Sequence, residues 1–259
     1  MEKSNGKQLI GIVGGMGPAA GLDLASKIVS QTLVSADQDH LPFVLYSFPD
    51  EIGDRTAFIL NQGQTLANPG IAIARVLLKM ELAGVTVAGM ACNSAHAPVI
   101  YDCICSELAS NSSKINLLHI VREVGWHIIY NHAGVRKAGI LGTTGTRVSG
   151  LYHMLNEFGL DIVEVTDDEQ NLLHSSIYHP DYGIKSTPEG ISQKATGTIA
   201  STCRALKKRG AELIVFGCTE FPLAWQAPQI EGMPVVDSSM VLARALVRSI
   251  SPEQLRPFR

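Results

Sequence analysis

One kind of segment occurs twice in the chain, and this repeat limits the folds that the sequence can adopt. Residues 10–17 form an apolar run that ends in glycines, and a run of the same character begins around Gly139. Gly11 and Gly139 stand 128 residues apart. Cys92 and Cys218, each placed after an apolar run, stand 126 residues apart. Glycine loop and cysteine therefore recur in phase, which indicates an internal duplication.

The pattern of apolar and turn-forming residues predicts an α/β fold. Residues 8–15 and 43–48 have the length and composition of buried strands, and the apolar spacing of 69–83 and 98–109 predicts helices between strands. Strands that alternate with helices form parallel sheets, with ligands bound at the carboxyl ends of the strands. We therefore expect two pseudo-symmetric, doubly wound domains with mainly parallel sheets and an active site in the cleft between them.

The second copy shows the same alternation of elements. Residues 151–158 are predicted as a helix and 161–165 as a strand. Thr166 and the three acidic residues that follow it predict a capped helix start, because acidic side chains complement the helix dipole there. A further helix is predicted over 190–209, where Lys207, Lys208 and Arg209 complement the carboxyl end of the dipole.

The duplication also predicts domain boundaries. Residues 115–121 read as a strand that leads into the second half, and the tail, with a strand at 233–237 followed by a helix, is expected to extend the first half. The first domain is accordingly predicted as residues 1–117 plus 229–259, and the second as residues 118–228.

Composition and charge favour a cytoplasmic protein with a small ligand. Hydrophobic residues make up 46% of the chain. The formal net charge of −3 does not indicate binding to nucleic acid or to an anionic membrane. We expect no signal peptide and no membrane span, because no apolar stretch is long enough. Five scattered cysteines are an odd number and make no disulfide framework, which fits a reducing compartment.

Two cofactor classes are excluded by spacing. The glycine loop at 14–17 lacks the full spacing of a dinucleotide fingerprint, and no acidic residue is cleanly placed for a ribose. Cys103 and Cys105 are close in sequence, but no second Cys/His pair stands at zinc-ligand spacing. We therefore predict neither a nicotinamide cofactor nor a metal.

The two strand-end cysteines predict acid-base chemistry. Each precedes a turn or helix, where free backbone N–H groups and the helix dipole favour a thiolate. Two such groups on opposite walls of a cleft suit racemisation: one thiolate removes the α-proton and the opposite thiol protonates the far face. Asn93, Ser94 and Thr219 are placed to stabilise the carbanion through its carboxylate, so pyridoxal phosphate is not required.

These motifs resemble the aspartate/glutamate racemase family, and most closely its aspartate racemases. The resemblance rests on the duplicated glycine loops and on residues 91–96, 217–220 and 54–56, and it covers nearly the whole chain. It implies a racemase without cofactor, two pseudo-symmetric α/β domains and commonly a homodimer. Its substrate would be an acidic amino acid.

The resemblance also implies roles for individual residues. Cys92 and Cys218 match the catalytic pair, and Arg55 matches an arginine that grips the side-chain carboxylate of the substrate. Lys185 matches a lysine that assists it, although Tyr182 is an alternative for that position. The remaining matches are substrate contacts: Asn93, Ser94, Thr219 and Glu220, which hold the amino and α-carboxyl groups, and Met16 in the first loop.

Both cysteines are present, which favours a racemase over the related decarboxylases. Glu220 stands where glutamate racemases of wall synthesis typically carry histidine, which favours aspartate or a broad acidic specificity. Three alternatives stay open from the sequence. They are a hydantoin racemase or maleate isomerase on the same scaffold, an amino-acid-binding module without catalysis, and a hydrolase in which Cys92 pairs with His96.

Overall fold

The computed structural model describes residues 8–186 and 190–258 and contains two separate β-sheets. The first sheet is parallel and has the strand order β2-β1-β3-β4. Its strands are β1 (Leu9–Gly14), β2 (Phe43–Ser47), β3 (Val85–Met90) and β4 (Asn116–Leu117). The helices between and after these strands are α1 (Pro18–Gln31), α2 (Arg55–Leu60), α3 (Pro69–Leu82), α4 (Pro98–Ser110) and α5 (Ile120–Asn131).

The second sheet has the order β6-β5-β7-β9-β8, and only β8 runs antiparallel to its neighbour. Its strands are β5 (Lys137–Gly142), β6 (Asp161–Val163), β7 (Leu213–Gly217), β8 (Gln229–Ile230) and β9 (Met233–Asp237). The accompanying helices are α6 (Thr144–Val148), α7 (Asp167–Tyr178), α8 (Gln193–Lys208), α9 (Phe221–Ala224) and α10 (Ser238–Ile250). Short 3₁₀ helices occur at Asp37–Asp39, Asn93–His96, Leu151–Phe158 and Pro252–Gln254.

The two sheets share one topology, which confirms the predicted fold class. Strands β6, β5, β7 and β9 follow the same spatial order as β2, β1, β3 and β4. The glycine loops leave the equivalent strands β1 and β5, and the two cysteines follow the equivalent strands β3 and β7. The duplication read from the sequence therefore extends to the strand order and to the placement of both cysteines.

The predicted position of the tail strand is wrong. Strand β9 pairs with β7 in the second sheet, with Val235 opposite Ile214, and does not join the first sheet. The reason lies in the short connection from α9, which folds back through β8 as a hairpin with β9 and so keeps the strand beside β7. Helix α10 does cover the first half, because Leu242 and Leu246 pack closely against Gly89 of β3.

The predicted strand at 115–121 is also shorter than expected. Only Asn116–Leu117 pairs with β3, and α5 begins at Ile120. Ile120, Val124 and Ile128 are buried at helical spacing, so burial of one helix face takes precedence over the local β-propensity of the segment. The capped helix start predicted at Thr166 is confirmed, since Thr166 and Glu169 form a reciprocal capping box.

One hydrophobic core joins the two halves. A single cluster of buried side chains contains Ile10 and Ile12 of β1 together with Leu213 and Val215 of β7. Two further clusters lie within one half each. None of the helices in the described ranges is long and apolar enough to cross a membrane.

Two helix glycines, the buried Gly125 and the exposed Gly197, give a matched test of helix packing. A Cβ on Gly125 of α5 would lie 2.6 to 2.7 Å from ring atoms of Phe158, whereas a Cβ on Gly197 of α8 would meet no atom within 4 Å. We expect Gly125→Ala to lower the free energy of unfolding by about 1–3 kcal/mol through overpacking. Gly197→Ala should raise it by about 0.5–1 kcal/mol, because alanine loses less entropy in a helix.

Urea unfolding followed by circular dichroism measures both changes. A stabilising Gly125→Ala substitution would contradict the close packing of α5 against the 3₁₀ helix Leu151–Phe158.

Candidate active site

The two cysteines line one small cavity at the strand ends of both sheets. Cys92 and Cys218 are each 5% exposed. The cavity between them is small and polar. Its lining residues come from both halves and are Met16, Cys92, Asn93, Ser94, Thr143, Thr146, Tyr178, Lys185, Gly217, Cys218, Thr219 and Glu220.

A positive charge lies beside Cys92. Arg55 begins α2, which is capped by the side chain of Asp54, and its Nη2 donates to the carbonyl oxygen of Met16 at 3.1 Å. Burial opposes the charge of Arg55, but its interaction with the nearby Cys92 holds the pKa of Arg55 above its ordinary value. Its Nε is buried without a hydrogen-bond partner. Arg55 thus has one donor still unused next to the first cysteine.

A negative charge lies beside Cys218. The Cys218 thiol donates to Oε2 of Glu220 at 3.0 Å, and Glu220 Oε1 lies 3.3 Å from Nζ of Lys185. Burial raises the pKa of Cys218 well above its ordinary value, and the Glu220 carboxylate raises it further. Burial opposes the charge on Lys185, but the same carboxylate holds the pKa of Lys185 above its ordinary range. Cys218 is therefore a thiol at neutral pH.

Hydroxyl and amide groups surround both sulfurs. The Cys92 sulfur lies 3.4 Å from Oγ of Ser94, which belongs to the short 3₁₀ helix after β3. Oγ1 of Thr219 lies 3.2 Å from the carbonyl oxygen of Ala91 and 3.3 Å from Glu220, so it bridges the two halves. Asn93 is 2% exposed and is held by protein hydrogen bonds on both ends of its amide.

The structure places Lys185, and not Tyr182, at the cavity. The Tyr182 ring stacks on His179 with 3.9 Å between centroids, and Nζ of Lys194 lies 3.9 Å from the centre of the Tyr182 ring. Lys185 lines the cavity and lies over the ring of Tyr178. The cavity thus brings together every candidate residue except Arg55, which lies directly beside Cys92.

Sequence reasoning missed four lining residues, one of which, Gly217, directly precedes Cys218. Thr143 and Thr146 belong to the second glycine loop, and the repeat was a signal for them, because the equivalent first loop supplies Met16. Tyr178 is the last residue of α7, and burial raises its pKa to about 12. The only signal in the sequence was that Tyr178 lies seven residues before Lys185. This spacing points to the cavity only when the fold of the intervening loop is known.

The structure does not support a hydrolase dyad of Cys92 and His96. Both ring nitrogens of His96 are buried without a hydrogen-bond partner, and the ring packs against Tyr101 and His119. Burial, with a smaller effect of His119, holds the pKa of His96 well below its ordinary value. His96 is a packed structural residue.

A family model of Asp/Glu/hydantoin racemases matches residues 13–246. The chain belongs to this family. It is therefore an isomerase, an amino-acid racemase.

Three solved structures are similar to this racemase. The aspartate racemase of Picrophilus torridus is 28% identical, with 94% of both chains covered and a TM-score of 0.75. An aspartate racemase homologue from Pyrococcus horikoshii is 23% identical over 95% of this chain and 99% of its own, with a TM-score of 0.71. A glutamate racemase from Francisella tularensis in complex with D-glutamate is 12% identical over 98% and 85%, with a TM-score of 0.64.

The charge beside Cys218 gives a testable pH dependence. Because Glu220 raises the pKa of Cys218, Glu220→Gln should lower that pKa and also leave Lys185 free to stabilise the thiolate. We expect iodoacetamide to alkylate Cys218 about tenfold faster at pH 8 in the variant, the equivalent of one pKa unit. Peptide mass spectrometry resolves Cys218 from the other cysteines.

The matched control is Glu157→Gln, which changes an exposed glutamate away from the cavity. Equal alkylation rates in wild type and Glu220→Gln would show that the carboxylate does not act on the thiol.

The buried His119 predicts a loss of stability in mild acid. Burial lowers the pKa of His119 to about 4, whereas the unfolded chain protonates near the ordinary value of about 6.5. Between these values the unfolded state binds more protons, so the free energy of unfolding falls as the pH falls through this window. His119 should contribute about 2 kcal/mol to the loss between pH 7 and pH 5.

His119→Phe keeps the ring contacts with Tyr101 and His96 but cannot be protonated. Urea unfolding at pH 7 and pH 5 should show a smaller pH-dependent loss in this variant, and an identical loss would overturn the assignment.

Proposed function

We propose that this racemase interconverts the L and D forms of an acidic amino acid by a two-base mechanism, without a cofactor, with aspartate as the preferred substrate and glutamate as the second. One observation carries the proposal. Cys92 and Cys218 leave equivalent strands of the two halves and line the same cavity. Two acid-base groups on different walls of one small site are what proton removal and return on opposite faces require.

The proton balance needs only the two sulfurs. A thiolate takes the α-proton and becomes a thiol, while the electron pair of the broken C–H bond stays on the substrate as a carbanion. The opposite thiol then gives its proton to the other face and becomes a thiolate. Substrate and product have the same composition, and the enzyme ends with the protonation states of its two sulfurs exchanged.

The charges around the sulfurs favour one starting state. Arg55 is a cation near Cys92, whereas Cys218 is buried and donates its proton in a hydrogen bond to Glu220. We therefore assign Cys92 as the base and Cys218 as the acid in the first half of the proposed cycle. Reaction of the other enantiomer starts from the exchanged state.

The polar groups of the cavity match the substrate groups. Carbanion formation shifts negative charge onto the α-carboxylate, and fixed donors near that charge lower the barrier. Asn93, Ser94 and Thr219 line the cavity as such donors, and Met16 lies at its wall. We assign the ammonium group to the carboxylate of Glu220, which lines the same cavity.

Two cations favour a dicarboxylic substrate. Lys185 lines the cavity, and Arg55 has a buried Nε–H without a partner beside Cys92. A hydantoin ring carries no second carboxylate for these cations, so an acidic amino acid fits the site better. The likeness to the aspartate racemase of Picrophilus torridus supports the same choice.

The direct test is proton NMR of L-aspartate, and separately L-glutamate, in D₂O with the purified racemase and no added cofactor. We expect the α-proton signal to disappear and chiral chromatography to find the D enantiomer, faster for aspartate than for glutamate. No exchange with either substrate would overturn the proposal, and exchange only after addition of pyridoxal phosphate would overturn its cofactor-free mechanism.

Cys92→Ala and Cys218→Ala test the two-base mechanism. Each substitution removes one acid-base group, and we expect each to lower the racemisation rate by about a thousandfold or more. Cys105→Ser is the matched control, because Cys105 is exposed and lies outside the cavity, and its rate should equal that of the wild type. A rate within tenfold of the wild type in either alanine variant would exclude a two-base mechanism.

A further inference from the structure

A buried chain of hydrogen bonds runs behind the cavity and joins both halves. The hydroxyl of Tyr152, in the 3₁₀ helix Leu151–Phe158, lies 2.7 Å from Oδ1 of Asn93. Nδ2 of Asn93 lies 3.0 Å from Oγ of Ser238, which in turn lies 2.7 Å from the carbonyl oxygen of Phe216. Tyr152, Asn93 and Ser238 are all buried.

The donor and the acceptor of each of these hydrogen bonds follow from the number of protons that each group carries. The Ser238 hydroxyl has one proton, and the carbonyl oxygen of Phe216 can only accept it. The Ser238 oxygen must therefore accept from Asn93, which places the NH₂ group of the amide toward Ser238. Burial raises the pKa of Tyr152 above its ordinary value, so Tyr152 keeps its proton and donates it to Oδ1 of Asn93.

This orientation decides what Asn93 offers to a ligand. Its Oδ1 already accepts from Tyr152, and one N–H of its NH₂ group is donated to Ser238. The second N–H is left for the cavity that Asn93 lines. Asn93 in this orientation is a hydrogen-bond donor, and it suits a carboxylate and not an ammonium group.

Tyr152 also touches the strand end that carries the other cysteine. A Cβ on Gly217, the residue before Cys218, would lie 2.8 Å from Cε2 of the Tyr152 ring. The same side chain thus packs on the neighbour of Cys218 and hydrogen-bonds the neighbour of Cys92. Tyr152 is not among the residues that line the cavity, so any effect on the reaction passes through these neighbours.

We propose that Tyr152 is a positioning residue of the racemase, which fixes the Asn93 amide as a donor to the α-carboxylate of the substrate. The inference rests on the proposed function, because it assigns a substrate group to Asn93. Ser238 is the second support of the same amide. Loss of the Tyr152 hydroxyl leaves Oδ1 of Asn93 without its donor and frees the amide to turn.

A double-mutant cycle separates this role from general support of the fold. We expect Tyr152→Phe to lower kcat/KM for aspartate about tenfold. This is about the effect of losing one hydrogen bond to a charged group, here the bond from Asn93 to the α-carboxylate of the substrate. Asn93→Ala should lower it at least as much. Tyr152→Phe in the Asn93→Ala background should cause no further loss, because the group that it positions is gone.

Multiplicative losses in the double variant would overturn the proposal, since Tyr152 would then act independently of Asn93. Tyr101→Phe is the matched control. It also removes a hydroxyl that is hydrogen-bonded within the protein, here to the carbonyl oxygen of Leu117, and it should leave kcat/KM unchanged.

A second measurement tests the orientation without any activity. With asparagine labelled by ¹⁵N, the side-chain amide signal of Asn93 is identified by its absence in Asn93→Ala. We expect its protons to exchange slowly with solvent in the wild type and at least tenfold faster in Tyr152→Phe. Equal exchange rates would overturn the role of Tyr152. A wild type that protects this amide but racemises neither aspartate nor glutamate would instead overturn the proposed function.

Discussion

The hydrophobic core shared by the two sheets determines how the two cysteines face each other. Ile10 and Ile12 of β1 belong to the same buried cluster as Val215 of β7, so the carboxyl ends of both sheets are held against one another. Neither half alone forms the cavity, because its lining alternates between them. The site therefore depends on apolar packing away from the sulfurs as well as on the residues that line the cavity.

The backbone of the site is nearly symmetric, but its charges are not. A cation lies near Cys92, whereas a carboxylate accepts a hydrogen bond from the Cys218 thiol and is itself paired with Lys185. A duplicated fold supplies two equivalent positions for sulfur, and in the proposed mechanism the unlike residues around them distinguish the base from the acid. The Tyr152 hydroxyl adds a third asymmetry, because it holds an amide beside only one of the cysteines.

The sequence predicted the fold class and the meeting of the cysteines because both follow from short-range patterns repeated in phase. It also predicted that Lys185 and Glu220 share the site, through the family resemblance. The position of β9 was not predictable, since pairing with β7 depends on a hairpin whose partner is chosen by tertiary packing. Tyr152 and Tyr178 were missed for a related reason. The hydrogen bond of Tyr152 to Asn93 and the place of Tyr178 in the cavity join segments that lie far apart in the chain.

The C-terminal crossing has a topological consequence. The chain passes from the first sheet to the second between β4 and β5, and it returns after β9, where α10 packs on the first half. Because the chain crosses between the sheets twice, no single cut in the backbone divides it into two complete halves.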